Sequence, residues 1–139
     1  MKIVLDTNVL LTSISERSSI HSIFSGFLDE GYELCVTTDI LIEYEEIITR
    51  HLGSNVASAV LQVIENAPNV KWITRYYVWR LIEADPDDNK FVDCAIAANA
   101  TYIVSEDRHF GILQQIPYPK LNVIKAKVFQ QLLKDQEGV

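Results

Sequence analysis

The sequence predicts a three-layer α/β/α fold built on a central parallel sheet of about four or five strands. Two observations carry this. Short runs of apolar and β-branched residues recur along the chain: KIVL at 2–5, ELCV at 33–36, YIVS at 102–105 and LNVI at 121–124. They are apolar nearly throughout rather than alternating, as strands buried on both faces are. The stretches between them are long enough, and apolar at helical spacing, to be crossover helices, which parallel strands require. With 139 residues the chain suits one domain with one core, spanning 1–139.

KIVL is the first strand. Residues 9–14 and 19–30 read as helical, with Gly31 as the C′ residue that ends the second stretch. ELCV is the next strand. Thr37, Thr38 and Asp39 are cap candidates for a helix from about 40 to 51, followed by Gly53. Another helix fits 55–66 and ends before Pro68. WITRYYVWRLI, 72–82, reads equally as strand or helix. DPDDN, 85–89, is a turn and cap cluster. Asp85 and Pro86 read as N-cap and first helical residue, and Asp88 falls at the capping-box position. A helix over 89–100 follows, then YIVS, a short turn or helix, LNVI and a last helix over 126–134.

Composition narrows the function. Nearly half the residues are apolar, yet no run approaches the ~18 uninterrupted apolar residues of a membrane span. The N-terminus meets Asp6 too soon for a signal peptide. Cys35 and Cys94 lie inside apolar runs and read as buried thiols of a cytoplasmic protein, too few and too separate for a zinc site. The net charge of −7 argues against a protein that lives on non-specific DNA affinity, which needs Lys and Arg on phosphates. Acids gathered in one place bind hard cations instead.

In open α/β sheets, ligands bind beyond the carboxyl ends of the strands. Asp6 stands there, breaking the apolar run IVLDTNVLL at the end of the first strand. After the second strand, Glu43 and Glu45 lie at opposite borders of an apolar stripe made by Ile40, Leu41, Tyr44, Ile47 and Ile48, and the pattern does not choose between them. Asp107 follows the third strand, where an N-cap or Asx-turn would also explain it. Asp93 sits in NKFVDCAIAANA, apolar around nearly its whole circumference, with Asn89, Ala97 and Ala100 on the remaining face. A carboxylate buried there must be paired, hydrogen-bonded or bound to a cation. Asp85, Asp87 and Asp88 read as helix-start residues, Asp88 being the best placed of them to reach a metal through water.

Taken in order, VLDTNVL, the acidic residue of TTDILIEYEE, and DPDDNKFVDCAIAANATYIVSEDRHF resemble the PIN domain, and most closely the toxins of bacterial toxin–antitoxin pairs. The resemblance covers essentially the whole chain. It implies a PIN-like fold and a metal-dependent ribonuclease with four acids: Asp6, Glu43, Asp93 and Asp107. It thereby separates Glu43 from Glu45. It also implies supporting roles for Asn8 and Ser105.

Phosphodiester hydrolysis needs an activated water and charge relief on the leaving oxygen, which two divalent ions about 4 Å apart supply. Carboxylate ligands select Mg²⁺ or Mn²⁺. The resemblance thus implies a cytoplasmic Mg²⁺/Mn²⁺ endoribonuclease with RNA as its substrate, an antitoxin partner and a homodimer, and the chemistry implies two ions. The rival is a non-catalytic PIN-like scaffold that binds RNA or protein. A scaffold is free to lose an acid, and here all four positions are acidic. Cleavage of DNA would use the same chemistry. His109 reads as a surface or capping residue, and His21 and His51 have no partner motif. Lys90 and Arg108 flank the proposed site and could meet phosphates. Trp72, Tyr76, Tyr77 and Trp79, interleaved with Lys71, Arg75 and Arg80, read as core or interface rather than as a base-stacking platform.

Overall fold

The computed structural model describes residues 1–74, 79–82, 86–117 and 119–137. Five strands, β1 (Lys2–Leu5), β2 (Glu33–Val36), β3 (Val70–Trp72), β4 (Tyr102–Val104) and β5 (Val123–Ile124), form one sheet in the order β3-β2-β1-β4-β5. Every pairing is parallel. Ile3 is aligned with Leu34 on one side and Tyr102 on the other, and Leu5 with Val104. Successive residues of β1, β2 and β4 are buried, so both faces are covered, as the continuous apolar runs require.

The covering helices are α1 (Thr7–Ile14), α2 (His21–Leu28), α3 (Thr38–Leu52), α4 (Ser54–Asn66), α5 (Asn89–Ala98) and α6 (Ala126–Glu137). The chain steps from β1 to β2 to β3 in one direction, then returns through α5 to β4 on the other side of β1. Right-handed crossovers put these two sets of connections on opposite faces of the sheet, which gives the three layers. α5 packs on β1, β2 and β4, while α1 packs on α2 and α3, α3 on α4, and α2 on α6. Phe129 of α6 meets Tyr32 edge-on, 5.0 Å between ring centres. No helix among the described residues is long and apolar enough to cross a membrane. Both cysteines are buried thiols.

Several boundaries differ from the sequence reading for identifiable reasons. α1 begins at Thr7 because the Asp6 carbonyl accepts from the Val9 and Leu10 amides as soon as β1 ends. α2 closes with the Gly31 amide donating to the Gly26 carbonyl and the Glu30 amide donating to that of Phe27, a Schellman pattern. The left-handed residue is therefore Glu30 (φ 60°), and Gly31 is the next residue along. Gly31 is small for another reason: a Cβ there would lie 3.0 Å from the Gly26 carbonyl oxygen. α5 ends two residues earlier than expected, since Asn99 takes the left-handed position (φ 52°) and the Ala100 amide donates to the Ala95 carbonyl.

In the ambiguous stretch at 72–82, Trp72 is the one described residue in a regular element. β3 is shorter and earlier, and ends at Trp72. Residues 75–78, with Tyr76 and Tyr77, lie outside the described residues, as does Asp85 with its N-cap reading. Asp88 precedes α5 in a 3-10 turn, Pro86–Asp88, and makes no side-chain cap to that helix.

α3 is capped by Thr37, whose side chain accepts from the Ile40 amide. Its Tyr44 is fully buried and donates its hydroxyl to the Leu5 carbonyl at 2.6 Å. This bond ties α3 to the end of the central strand. Tyr44→Phe should leave that carbonyl unpaired in the core and lower stability by about 1–3 kcal/mol, read from urea unfolding. A variant as stable as the parent would show that the bond contributes nothing.

Candidate active site

The strand order reverses beside β1: its connection leads to β2 on one side, while β4 lies on the other. This is the switch point where open α/β sheets leave a crevice at the carboxyl ends of their strands. The residues that leave β1 and β4 there are Asp6 and Ser105. The Asp6 amide donates to the Val104 carbonyl at 3.0 Å, and the Ser105 hydroxyl donates to Asp6 Oδ2 at 2.8 Å. Two side chains 99 residues apart in sequence are thus neighbours because β1 and β4 are paired.

Asp6 occupies the N-cap position of α1, yet its side chain makes no cap hydrogen bond. The carboxylate is turned to the crevice instead. It is 6% exposed, and its pKa is raised to about 6. Burial is the largest cause, opposed by the Ser105 hydrogen bond, with the charges of Asp107 and Glu43 adding to the rise. Asp6 therefore stands in the field of both Asp107 and Glu43.

Asp107 begins the 3-10 helix Arg108–Gln115. Its Oδ1 accepts from the His109 amide at 2.9 Å, and its own amide donates to Ser105 Oγ at 2.9 Å. Ser105 is thereby held between the two acids. The capping reading of Asp107 and its place beside Asp6 are both realised, since the cap uses Oδ1 alone.

Glu43 is half-buried and Glu45 is exposed. Glu43 Oε2 accepts from the Thr7 hydroxyl. Glu43 Oε1 lies 2.6 Å from Lys90 Nζ, in a pair whose side chains are only 21% and 16% exposed. Glu46, by contrast, pairs with Arg50 on the solvent face.

Asp93 is fully buried in α5, and its Oδ1 accepts from the Trp79 amide at 3.1 Å. One turn earlier on the same face, the Asn89 amide side chain both accepts from and donates to the backbone of Ile82, at 2.9 and 2.8 Å. These two side chains fasten the 79–82 segment to α5. Asn8 is exposed.

The sequence reading missed two features. The sequence reading gives Thr7 no role, and its hydroxyl donates to Glu43 Oε2. His109 is more than a surface residue. Its Nδ1 lies 3.3 Å from Asp107 Oδ1 and 3.8 Å from Asp88 Oδ2. One ligand atom from each of Asp88, Asp107 and His109 falls within 4.8 Å of the others. The signal for the Asp107 half was available, because an Asp that caps a turn bonds the amide two residues on and so keeps that residue close.

The donor set suits a hard divalent cation: carboxylate oxygens with one imidazole nearby, one of the carboxylates being Asp6, whose charge burial and the neighbouring acids disfavour. Fold and site together define a class, a three-layer α/β protein with an acidic pocket at the switch point of its sheet. The chain belongs to the PIN domain family, whose model matches residues 2–109. Two solved structures share its fold. VapBC2 from Rickettsia felis, bound to a DNA fragment from its promoter, is 16% identical, with a TM-score of 0.62 over 90% of this chain and 98% of the other. VapC20 of Mycobacterium tuberculosis, a Sarcin-Ricin loop cleaving toxin, is 14% identical, with a TM-score of 0.59 over 78% of this chain and 92% of the other. No curated protein matches in sequence.

The raised pKa of Asp6 fixes the sign of a pH effect on the metal-free protein. Below about 3.8 the carboxyl is protonated whether folded or unfolded, and its contribution is fully present. As pH rises through about 6 that contribution is lost, because the folded state must ionise a buried acid. In EDTA, stability should fall between pH 4.5 and 7, by an amount on the order of 2 kcal/mol from this group. Asp6→Asn should flatten that slope and be the more stable protein at pH 7. Parallel slopes for the two in thermal melts would remove the effect from Asp6.

Proposed function

We propose that this protein is a divalent-metal-dependent endoribonuclease, the toxin of a toxin–antitoxin pair, working in the cytoplasm. The observation that carries the reading is the joining of Asp6 and Asp107 through Ser105 at the switch point, with Glu43 in their field. A neutral or single-acid crevice would have no use for a cation, and here burial and two neighbouring acids oppose the charge of Asp6.

Asp6 and Asp107 would hold a Mg²⁺ or Mn²⁺ ion, with Asp88 and His109 at its border. When bound, the ion lowers the pKa of a coordinated water and offsets charge on the scissile phosphate. The residues of the chain do the rest. Ser105 fixes the orientation of both acids by donating to one and accepting from the amide of the other. Asp93 acts through backbone, pinning the 79–82 segment beside α5, in addition to the ligand role that the family resemblance implies for it. Asn8 is exposed at the start of α1, where it could meet substrate. A cavity of about 140 Å³ beside Asp107, lined by Ser105, Arg108 and Lys125 among others, has the positive charge and the position to receive a phosphate next to the one being cut.

RNA as substrate, an antitoxin as partner and a homodimer as assembly come from the family resemblance. A partner's Arg or Lys entering the acidic pocket would satisfy the same carboxylates that call for a cation, and so would restrain the enzyme.

The purified protein should cut single-stranded RNA with Mn²⁺ or Mg²⁺, leaving 5′-phosphate and 3′-hydroxyl ends, and EDTA should stop it. Asp6→Asn and Asp107→Asn should abolish cleavage while keeping the parent circular dichroism, and Ser105→Ala should slow it by about ten- to a hundredfold. Cyclic 2′,3′-phosphate ends would show that the RNA's own hydroxyl attacked. Tight RNA binding with no cleavage under any of these ions would favour the scaffold reading, and equal cleavage of DNA would remove the substrate preference.

A further inference from the structure

The acids of the pocket are not equally in need of an ion. Both oxygens of Glu43 are engaged: Oε2 accepts from Thr7, and Oε1 is 2.6 Å from the Lys90 ammonium. Lys90 is not a surface lysine that happened to fold over. It lies in the first turn of α5, immediately after Asn89, whose two hydrogen bonds to Ile82 fix where that helix begins. Its ammonium also lies 5.9 Å from the centre of the Phe91 ring, within cation–π reach. A lysine this buried has lost much of its hydration, which only a close, well-bonded carboxylate offsets. At the other end of the pocket, Asp6 and Asp107 share Ser105, and Asp107 has Asp88 and His109 beside it. The charge-neutralising group at the Glu43 end is therefore part of the chain, whereas among the described residues no Lys or Arg pairs with Asp6 or Asp107.

We propose that the Lys90 ammonium takes the place of a second cation at the Glu43 end of the pocket, so that the protein binds a single divalent ion, at the Asp6–Asp107 end. This rests on the metal-site reading above and departs from the two-ion expectation of the sequence: Glu43 serves as the lysine's partner and not as a ligand of the bound ion. An ammonium is a compact point charge with three donors. It can supply electrostatic relief at that end while leaving water activation to the ion.

The test counts Mn²⁺ bound to the full-length protein by electron paramagnetic resonance of the free ion, with calorimetry for affinity. The parent should bind one ion, Lys90→Met two at the same Mn²⁺ concentrations, and Asp6→Asn none. Glu43→Gln, which keeps the lysine, should still bind one ion within about threefold of the parent affinity. Two ions in the parent, one ion with unchanged affinity in Lys90→Met, or loss of binding in Glu43→Gln would each overturn the assignment of Lys90 while leaving a metal site in place. No ion in the parent, with the protein folded, would instead sink the metal-site reading itself, and this inference with it. Should Lys90→Met fail to fold, the Glu43→Gln count decides the matter alone.

Discussion

Everything at the candidate site depends on the cost of burying one carboxylate, Asp6, close to two others. Asp6 is almost wholly buried and stands in the field of Asp107 and Glu43. Mutual repulsion and lost hydration both oppose its charge. The surrounding structure holds the arrangement by local means. Ser105 donates to Asp6 and accepts from the Asp107 amide, Thr7 and Lys90 engage Glu43, and the Asp107 side chain caps a 3-10 turn. Each is one hydrogen bond or ion pair, and each ties a functional side chain to a different element of the fold. The pocket is thus a strained feature of an otherwise apolar, well-packed sheet protein.

The fold class was legible because parallel strands buried on both faces leave a plain mark, and KIVL, ELCV and YIVS carry it. What the sequence did not disclose was local backbone geometry. Gly31 looked like the residue that needed a positive φ, and Glu30 took it, because the Schellman bonds fix position by carbonyl count and not by residue type. β3 was hidden because VKW is short, partly exposed and followed by aromatics that fit either periodicity. The bounds of β5 were equally obscure, since an edge strand of two residues has little burial to write into its sequence.

The candidate site was legible in part, and for a physical reason. Asp6 announced itself by interrupting an apolar run. Glu43 could not be separated from Glu45 by pattern, because both border the same stripe. The distinction lies in long-range neighbours, Thr7 and Lys90, which no local periodicity encodes. Asp93 could be seen to be buried but not what it holds. The structure gives it a backbone amide at Trp79, from a segment whose path the sequence left open. His109 was invisible as a neighbour of Asp88 because their proximity arises only when β4 and α5 are set side by side.

One consequence follows from the 99 residues that separate Ser105 from Asp6. Asp6 leaves the ribosome 99 residues ahead of the hydroxyl that orients it. Contacts of such long sequence separation form late and slowly. An abandoned translation product, or a chain cut anywhere between β2 and α5, therefore carries Asp6 with no Ser105 or Asp107 to face it. Completeness of synthesis is built into the pocket as a condition for its existence.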